Sequence, residues 1–431
     1  MNNLPVKKLE VWRTLSSGKV IKVGELAQNK QGVYFQYHSD YLNDYHNLSP
    51  FNLKFDSSLQ LAPKKPHGGL HGAFSDSLPD GWGLLLMDRI FRQSDLLPAQ
   101  ITAMDRLAFV GKRAMGAMFY QPSSALQQRD KPEPISIADI GLQAQAIFDG
   151  QTTEVLQELV NAGSSGGARP KAQLYLNESD TQMCSTSQGK GLEPYLVKFT
   201  SSQLSLKHEE GLCEAAYLIM AHNAGIEVPK WMLLDAPPHS GATKWLALKR
   251  FDTNKTDEGT EGRLHLHSAS GLLDADYRMP SLDYEDLIKA TSILCKSPAA
   301  GQAIFRRMIF NLFASNQDDH SKNWAFLQND NGQWQLAPFY DVTFSPSPYN
   351  EHATAFAGCG NNPSLNVMKK LAEQASFSNW KQAQQVIEEV VTAIEHVASI
   401  ATELEVEQKT IHLIKKQLNI VYLENKTLLK G

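Results

Sequence analysis

The stretch that decides the fold of this chain is NQDDHSKN at residues 316–323. An apolar helical pattern that includes Met308 and Leu312 precedes it, and two short strand-like runs follow it. We therefore predict a loop held between two rigid elements. Phosphoryl transfer requires a carboxylate that orients the acceptor hydroxyl, together with oxygen ligands for Mg²⁺, and this loop offers both.

The spacing within and after this loop suits that chemistry. Asn323 follows Asp318 by five residues, which is the separation of the Asp and the Asn in a protein-kinase catalytic loop. His320 and Lys322 lie between them as further candidate catalytic residues. Asp341 follows a short hairpin and is the candidate for a second metal carboxylate, with Asn323 as the first metal ligand. The alternative is a surface turn rich in Asp and Asn.

A glycine-rich segment, GSSGGARPK at residues 163–171, precedes a strand pattern. Glycines let backbone N–H groups approach phosphate oxygens, and the hydroxyls of Ser164 and Ser165 add donors. We predict that these serines, with Gly166 and Gly167, form a phosphate-binding loop. It is not a Walker loop, because the GK[ST] ending is absent. Alone, such a run is more often a flexible turn.

Two further patterns resemble parts of a nucleotide site. Lys198 lies in an apolar strand pattern and needs an anionic partner if it is buried. Glu214, on an otherwise apolar helix, is the candidate partner, unless both side chains face solvent. The run that contains Lys249 and Phe251 lies where a hinge would receive an adenine.

A serine hydrolase is the competing interpretation. Gly163, Ser165 and Gly167 fit a GxSxG pattern, HGG at residues 67–69 resembles an oxyanion motif, and His320 could serve as the base. That motif needs a strand before the serine and a helix after it. Here a helix is predicted before the segment and a strand after it, which argues against the hydrolase.

The order of the predicted elements indicates an α+β chain with a two-lobed protein-kinase-like fold. An extra β-rich N-terminal subdomain precedes the kinase lobes, and the C-terminal lobe is predicted to be all-helical. We expect boundaries that give an N-terminal subdomain at residues 1–125, a kinase N-lobe with the phosphate loop at 126–252 and a C-lobe with the catalytic loop at 253–431.

Composition narrows the class of protein. The net charge of −5 gives no general attraction to nucleic acid. No apolar run approaches the ~20 residues that a membrane helix needs, and the N-terminus does not read as a signal peptide. The four cysteines show no CxxC spacing, so we expect reduced thiols in a cytoplasmic protein.

Taken together, these segments resemble the HipA family of toxin kinases from bacterial toxin–antitoxin modules. In the N-terminal part the resemblance rests on FSDSLPD at 74–80, MDR at 87–89 and FVGKRAMGA at 109–117. In the kinase part it rests on the glycine-rich segment, Lys198, Glu214, the hinge run and the two acidic motifs.

The resemblance implies a Ser/Thr protein kinase that uses ATP and Mg²⁺. It makes Asp318 the hydroxyl-orienting residue, Asn323 and Asp341 the metal ligands, and Lys198, steadied by Glu214, a phosphate contact. It also implies autophosphorylation at Ser164, which would expel the loop because a dianion is repelled by ATP phosphates. In this chain Ser165 is a second candidate for autophosphorylation, and Asp319 occupies a position where Gly is common in the family.

The resemblance also implies partners. They are a small helix-turn-helix antitoxin like HipB, operator DNA reached through that antitoxin, and a protein substrate, with aminoacyl-tRNA synthetases as the family precedent. A scaffold that only binds antitoxin and DNA remains an alternative. Such a scaffold would have no chemical need for Lys198, Asp318, Asn323 and Asp341 together.

Overall fold

The N-terminal part of the chain is an antiparallel sheet with short helices packed against it. The computed structural model describes residues 5–124, 126, 134–152, 154–155, 157–163, 166–256 and 260–430. The N-terminal elements are β1 (Lys8–Thr14), β2 (Val20–Gln28), β3 (Val33–Tyr37), α1 (Ser39–Asp44), β4 (Gln60–Leu61), α2 (Gly72–Ser75), α3 (Gly81–Gln93), α4 (Ala103–Val110) and β5 (Met118–Gln121). The strand order is β4-β3-β2-β1-β5. Alternate residues of β1 are fully buried, as expected for a sheet that is covered on one face.

The middle of the chain is a second antiparallel sheet, with six strands in the order β10-β11-β9-β7-β8-β6. Its elements are β6 (Ile135–Ser136), α5 (Ile137–Phe148), α6 (Gln157–Asn161), β7 (Lys171–Asn177), β8 (Asp180–Ser185), β9 (Glu193–Lys198), α7 (Glu210–Asn223), β10 (Trp231–Asp235) and β11 (Lys244–Lys249). Strand β9 lies between β7 and β11, so the residues at its end are held from both sides.

The C-terminal part is predominantly helical. Its elements are β12 (Thr253–Lys255), β13 (Glu261–Arg263), β14 (His265–Ser268), α8 (Ala269–Leu273), β15 (Leu282–Asp283), α9 (Tyr284–Cys295), α10 (Pro298–Phe313), β16 (Ala325–Gln328), β17 (Trp334–Leu336), β18 (Thr354–Ala355), α11 (Leu365–Gln374), α12 (Trp380–Glu395), α13 (Val397–Glu403) and α14 (Gln408–Asn425). One large apolar core joins these helices to α7 and β11.

Helix α10 fixes the position of residues 316–323, called the catalytic-loop segment below after their predicted role. Its side chains Ile304, Met308 and Leu312 are buried in that core, and the helix ends at Phe313. The loop then closes with a 3₁₀ turn at Ser321–Asn323 before β16 begins. The predicted arrangement of a loop between an apolar helix and a strand pair is thus the one observed.

The structure differs from the sequence prediction mainly at weakly apolar elements. Strand β8 was not predicted, because DTQMCS buries only its last two residues. Helix α11 was missed because it buries a stripe of only three residues: Met368, Leu371 and Ala372. The C-terminal lobe, predicted as helical apart from the strand pair after the loop, also contains the short strands β12 to β15 and β18. Near the C-terminus two helices follow each other directly, α12 and α13, which meet at His396.

Candidate active site

A buried lysine at the end of β9 is the centre of the candidate site. Lys198 Nζ lies 2.6 and 2.8 Å from the two carboxylate oxygens of Glu214 on α7, and 2.6 Å from Oδ1 of Asp341. Burial lowers the pKa of Lys198, but the two carboxylates outweigh it and the pKa is raised. The ammonium group is therefore charged and held in one place.

Asp341 joins this cluster from the loop that follows β17. Its backbone lies in the left-handed region at φ +55°, which is uncommon for a residue with a side chain. Burial raises the pKa of Asp341, but the charges of Lys198, Lys171 and Arg169 lower it far below its usual range. Asp341 is therefore ionised, and since Lys198 contacts Oδ1, Oδ2 remains a candidate metal ligand.

A second buried lysine, for which no role was predicted from the sequence, lies beside the first. Lys171 on β7 is directly opposite Lys198 in the sheet register. Its Nζ donates to the carbonyl of Gly166 at 2.7 Å, and no carboxylate of the described residues lies within 4 Å of it. Burial therefore lowers its pKa. Only the cross-strand register, which sequence spacing does not give, brings the two lysines together.

From Gly166 onward, the described part of the glycine-rich segment lies beside these lysines. Gly166 and Gly167 both line the cleft. Gly167 has φ +100°, a conformation that favours glycine. Arg169 lies close by, with Nη1 3.1 Å from Glu210 Oε2 at the start of α7. Ser164 and Ser165 lie outside the described residues.

The catalytic-loop segment forms the opposite wall. The side chain of Asp318 is 63% exposed. Asp318 does not line the cleft itself but stands at its mouth, beside His320 and Asn323, which do line it. Asn323 Nδ2 donates to the backbone carbonyl of Asp318 at 2.7 Å, which leaves the amide oxygen of Asn323 for other ligands. His320 Nε2 is 3.8 Å from Asp318 Oδ1, and the His320 ring lies beside Tyr277.

Asp319, where the family commonly has Gly, has a structural role here. Its buried carboxylate accepts a bond from the N–H of Thr354 at 3.1 Å and lies 3.0 Å from Nδ1 of His352. The hydroxyl of Tyr284 also donates to it. These contacts fasten the loop that carries Asp318 to the segment after Asp341, so the carboxylate at position 319 is fully used inside the protein.

Lys322 is held by an ion pair rather than free in the loop. Its Nζ lies 2.8 Å from Oδ2 of Asp80, a residue of the N-terminal part, and 4.4 Å from the centre of the Tyr277 ring. This partner could not be predicted from the sequence, because 242 residues separate Lys322 from Asp80.

The hinge run lies at the inner end of the cleft. The backbone N–H groups of Lys249 and Arg250 already donate to carbonyls of Lys230 and Pro194. The Lys249 ammonium lies 2.9 Å from Glu178 Oε1 and 3.0 Å from Glu193 Oε2. Phe251 packs against Tyr340 with ring centres 5.6 Å apart, so it offers an apolar wall.

One cleft collects most of the residues singled out from the sequence. Its lining includes Gly166, Gly167, Lys198, Lys249, Phe251, His320, Lys322, Asn323 and Asp341. Asp318 stands at its edge, and Glu214 lies behind Lys198. Asp76, Ser77, Leu78 and Met115 of the N-terminal part also line the cleft. Neither charge nor periodicity in the sequence indicated that contribution.

The hydrolase arrangement lacks its structural context. Helix α6 precedes the glycine-rich segment and strand β7 follows it, the reverse of a nucleophile elbow. His67 of the supposed oxyanion motif lies 3.1 Å from Asp274.

Within the described ranges, no cluster of three or more His, Cys, Asp or Glu forms a ready metal site. The four cysteines are free thiols. No described helix is both long and apolar enough to cross a lipid bilayer.

Comparison with known families gives this geometry its context. The family model for the HipA-like C-terminal domain matches residues 163–398, and the model for the HipA N-terminal domain matches residues 18–121. The chain belongs to the HipA family. The matched residues include most of the N-terminal sheet and most of the two lobes that enclose the cleft.

Individual HipA-family relatives are distant. A putative kinase of Haemophilus influenzae is 27% identical over 195 residues, which cover 44% of this chain and 54% of the relative. The serine/threonine-protein kinase toxin HipA of Shewanella oneidensis is 22% identical over 258 residues, 54% of each protein. The chain thus spans about half the length of the curated relatives it matches.

A solved structure covers nearly the whole fold. HipA of Shewanella oneidensis, from its complex with HipB and operator DNA, aligns with 97% of this chain and 96% of its own at a TM-score of 0.64 and 18% identity. This likeness confirms the predicted fold: two kinase-like lobes with an additional N-terminal β-rich subdomain. The chain is a kinase-like protein of the HipA family.

Proposed function

We propose that this chain is an ATP-dependent Ser/Thr protein kinase that transfers the γ-phosphate to a protein hydroxyl. The observation that carries the proposal is the convergence of Lys198, Asp341 and Asn323 in one cleft, with Asp318 at its mouth. These are the cation, the two oxygen ligands and the carboxylate that phosphoryl transfer requires.

The chemistry of the cleft fits a nucleotide with its metal ion. Lys171 is a buried lysine that makes no ion pair with a carboxylate of the described residues. Asp341 and Asp80 act on its charge only from beyond ion-pair distance, so its amine is available to a phosphate group. Asp341 Oδ2 and the amide oxygen of Asn323 are hard oxygen donors of the kind that hold Mg²⁺. ATP with Mg²⁺, when bound, supplies the transferable phosphoryl group.

The residues of the chain then have separate tasks. Lys198, fixed by Glu214, would hold phosphate oxygens, and the apolar wall at Phe251 would receive the base. Asp318, exposed at the mouth, would accept a hydrogen bond from the acceptor hydroxyl and take its proton as transfer proceeds. In this proposal His320 and Lys322 assist the reaction, but they neither orient the acceptor hydroxyl nor bind the metal ion. Lys322 already pairs with Asp80.

We further propose the partners that the family suggests. They are a small helix-turn-helix antitoxin similar to HipB, operator DNA bound through it, and a protein substrate such as an aminoacyl-tRNA synthetase. The structural neighbour that was solved with HipB and operator DNA supports the first two. The scaffold alternative, in which only antitoxin and DNA are bound, has the same support but leaves the buried charges of the cleft without a use.

Transfer of ³²P from γ-labelled ATP, with Mg²⁺ and with EDTA, tests the kinase directly. We expect Mg²⁺-dependent labelling, and phosphopeptide analysis is expected to place the autophosphorylation on Ser164 rather than Ser165. A phosphoproteome after induced expression identifies the substrate. Absence of labelling in the chain and in a cell extract, together with reaction of an ester-directed serine probe, would reject the kinase in favour of the hydrolase.

The lowered pKa of Lys171 predicts a pH dependence of nucleotide affinity. A lysine is charged below its pKa, so affinity is expected to fall as pH rises through the lowered pKa of Lys171 and its amine loses its proton. Lys198, whose pKa is raised, stays charged while Lys171 titrates. Lys171→Met should weaken ATP–Mg²⁺ binding about tenfold and flatten this pH dependence. Calorimetric titration measures both, and an unchanged slope in the variant would contradict the assignment.

A further inference from the structure

Asp80 makes contacts that its position at a helix start does not explain. It is the residue before α3, where an aspartate side chain ordinarily accepts bonds from the first N–H groups of its own helix. The Asp80 carboxylate makes no such bond within α3, all of which is described. It instead accepts bonds from the backbone N–H of Gly167 and from Lys322 Nζ, the latter at 2.8 Å.

The start of α3 is docked closely on the glycine-rich segment. The N–H of Trp82 donates to the carbonyl of Gly167 at 3.0 Å, and its indole N–H donates to the carbonyl of Lys171 at 2.8 Å. Gly81 has φ +39°, and a Cβ there would lie 2.7 Å from the backbone of Gly167 and Ala168. This approach of two backbones places Asp80 at the edge of the cleft.

The second partner of Asp80 belongs to the opposite wall. Lys322 lies in the catalytic-loop segment, and its backbone carbonyl accepts a bond from the hydroxyl of Tyr340 at 2.6 Å. Asp80 is buried. Burial raises its pKa, but Lys322 and the Gly167 N–H outweigh this and lower it. A single ionised carboxylate from the N-terminal part therefore bridges the two walls of the cleft.

We propose that Asp80 is a positioning residue that aligns the phosphate loop with the catalytic loop across the cleft. The inference rests on the proposed function, because it assumes that the cleft binds ATP and transfers its phosphate. Asp80 acts through Gly167 and Lys322 rather than by touching the nucleotide. The N-terminal subdomain thereby becomes part of the catalytic alignment.

Asp80→Asn tests this role, because the amide oxygen can still accept from Gly167 while the charge that holds Lys322 is gone. We expect kcat for ³²P transfer from ATP–Mg²⁺ to the protein hydroxyls of a cell extract to fall by about tenfold or more, since small misplacements of reacting groups are costly. The KM for ATP should change by less than about threefold, because an interaction used for alignment affects turnover more than binding.

Asp88→Asn is the matched control. Asp88 lies on the same helix and pairs with Arg106 of α4 at 2.6 Å, within the N-terminal subdomain. Its loss removes the same charge and one ion pair but no contact of the cleft. We expect kcat within about twofold of the unchanged protein, as for most substitutions away from such features.

A double-mutant cycle separates positioning from a general effect on folding. If Asp80 and Lys322 act as one unit, the variant with both Asp80→Asn and Lys322→Met should be no slower than Lys322→Met alone. Should Asp80→Asn not fold, Lys322→Met tests the contact from the other wall. It is expected to increase deuterium exchange at residues 166–171, and unchanged exchange there would overturn the inference.

The outcomes distinguish this inference from the proposed function. A wild-type protein that transfers ³²P to extract proteins, with Asp80→Asn no slower than Asp88→Asn, would overturn the role of Asp80 alone. So would additive losses in the double variant. A wild-type protein that labels neither itself nor extract proteins from ATP–Mg²⁺ would overturn the proposed function and this inference with it.

Discussion

Replacing Asp318 with Ala is expected to reduce phosphoryl transfer by about 10³-fold while leaving the fold unchanged. The loss is large because the acceptor hydroxyl would have no carboxylate to orient it and take its proton. The fold should remain because the Asp318 side chain is 63% exposed. The loop is held instead by Asp319, whose carbonyl accepts a bond from the Trp324 indole at 3.0 Å. The measurement is ³²P transfer at saturating ATP–Mg²⁺.

Asp235→Ala is a suitable control for that experiment. Asp235 ends β10, its side chain is 89% exposed, and it pairs with Lys244 outside the cleft. Its loss should change neither transfer nor the unfolding midpoint. If Asp318→Ala and Asp235→Ala both retain full activity, Asp318 is not the residue that orients the acceptor.

Lys198→Met is expected to weaken nucleotide binding strongly and also to destabilise the protein. Removing the ammonium group leaves Glu214, which is 2% exposed, as a buried carboxylate without its cation. Breaking a buried ion pair in this way costs about 3–5 kcal/mol. Loss of the charged phosphate contact should raise the Kd for ATP–Mg²⁺ about 100-fold. Urea denaturation and calorimetric titration measure the two effects.

The destabilisation should depend on pH with a definite sign. Burial raises the pKa of Glu214 above its usual value even in the intact pair, and the charges of Lys198 and Arg169 oppose that rise. In Lys198→Met the pKa of Glu214 should rise further, so the stability lost relative to the unchanged protein should shrink as pH falls and Glu214 binds a proton. Adding Glu214→Gln should recover much of the lost stability but none of the nucleotide binding. Unchanged stability and affinity in Lys198→Met would contradict the pairing.

The sequence indicated those parts of the site that depend on local order along the chain. The candidate catalytic loop could be predicted from the spacing of Asp318 and Asn323 and from the apolar helix before them, because both features lie within one short segment. Lys198 stood out as the one cation in an apolar strand. Its contact with Glu214 could be inferred because an unpaired buried lysine is unfavourable.

The parts that were missed depend on contacts between distant segments. The approach of Lys171 to Lys198 follows from the register of β7 and β9, and the bridge from Asp80 to Lys322 joins residues 242 positions apart. Asp319 could be recognised as a departure from the family but not explained, because its partners His352 and Thr354 come from a later loop. Periodicity carries no information on any of these contacts.

A crystal structure with a non-hydrolysable ATP analogue and Mg²⁺ tests the central claim most directly. We expect one nucleotide in the cleft, with its phosphates beside Lys171 and Lys198 and its metal ion held by Asn323 and Asp341. An analogue bound on another surface, or a cleft that stays empty at saturating analogue and Mg²⁺, would contradict the account.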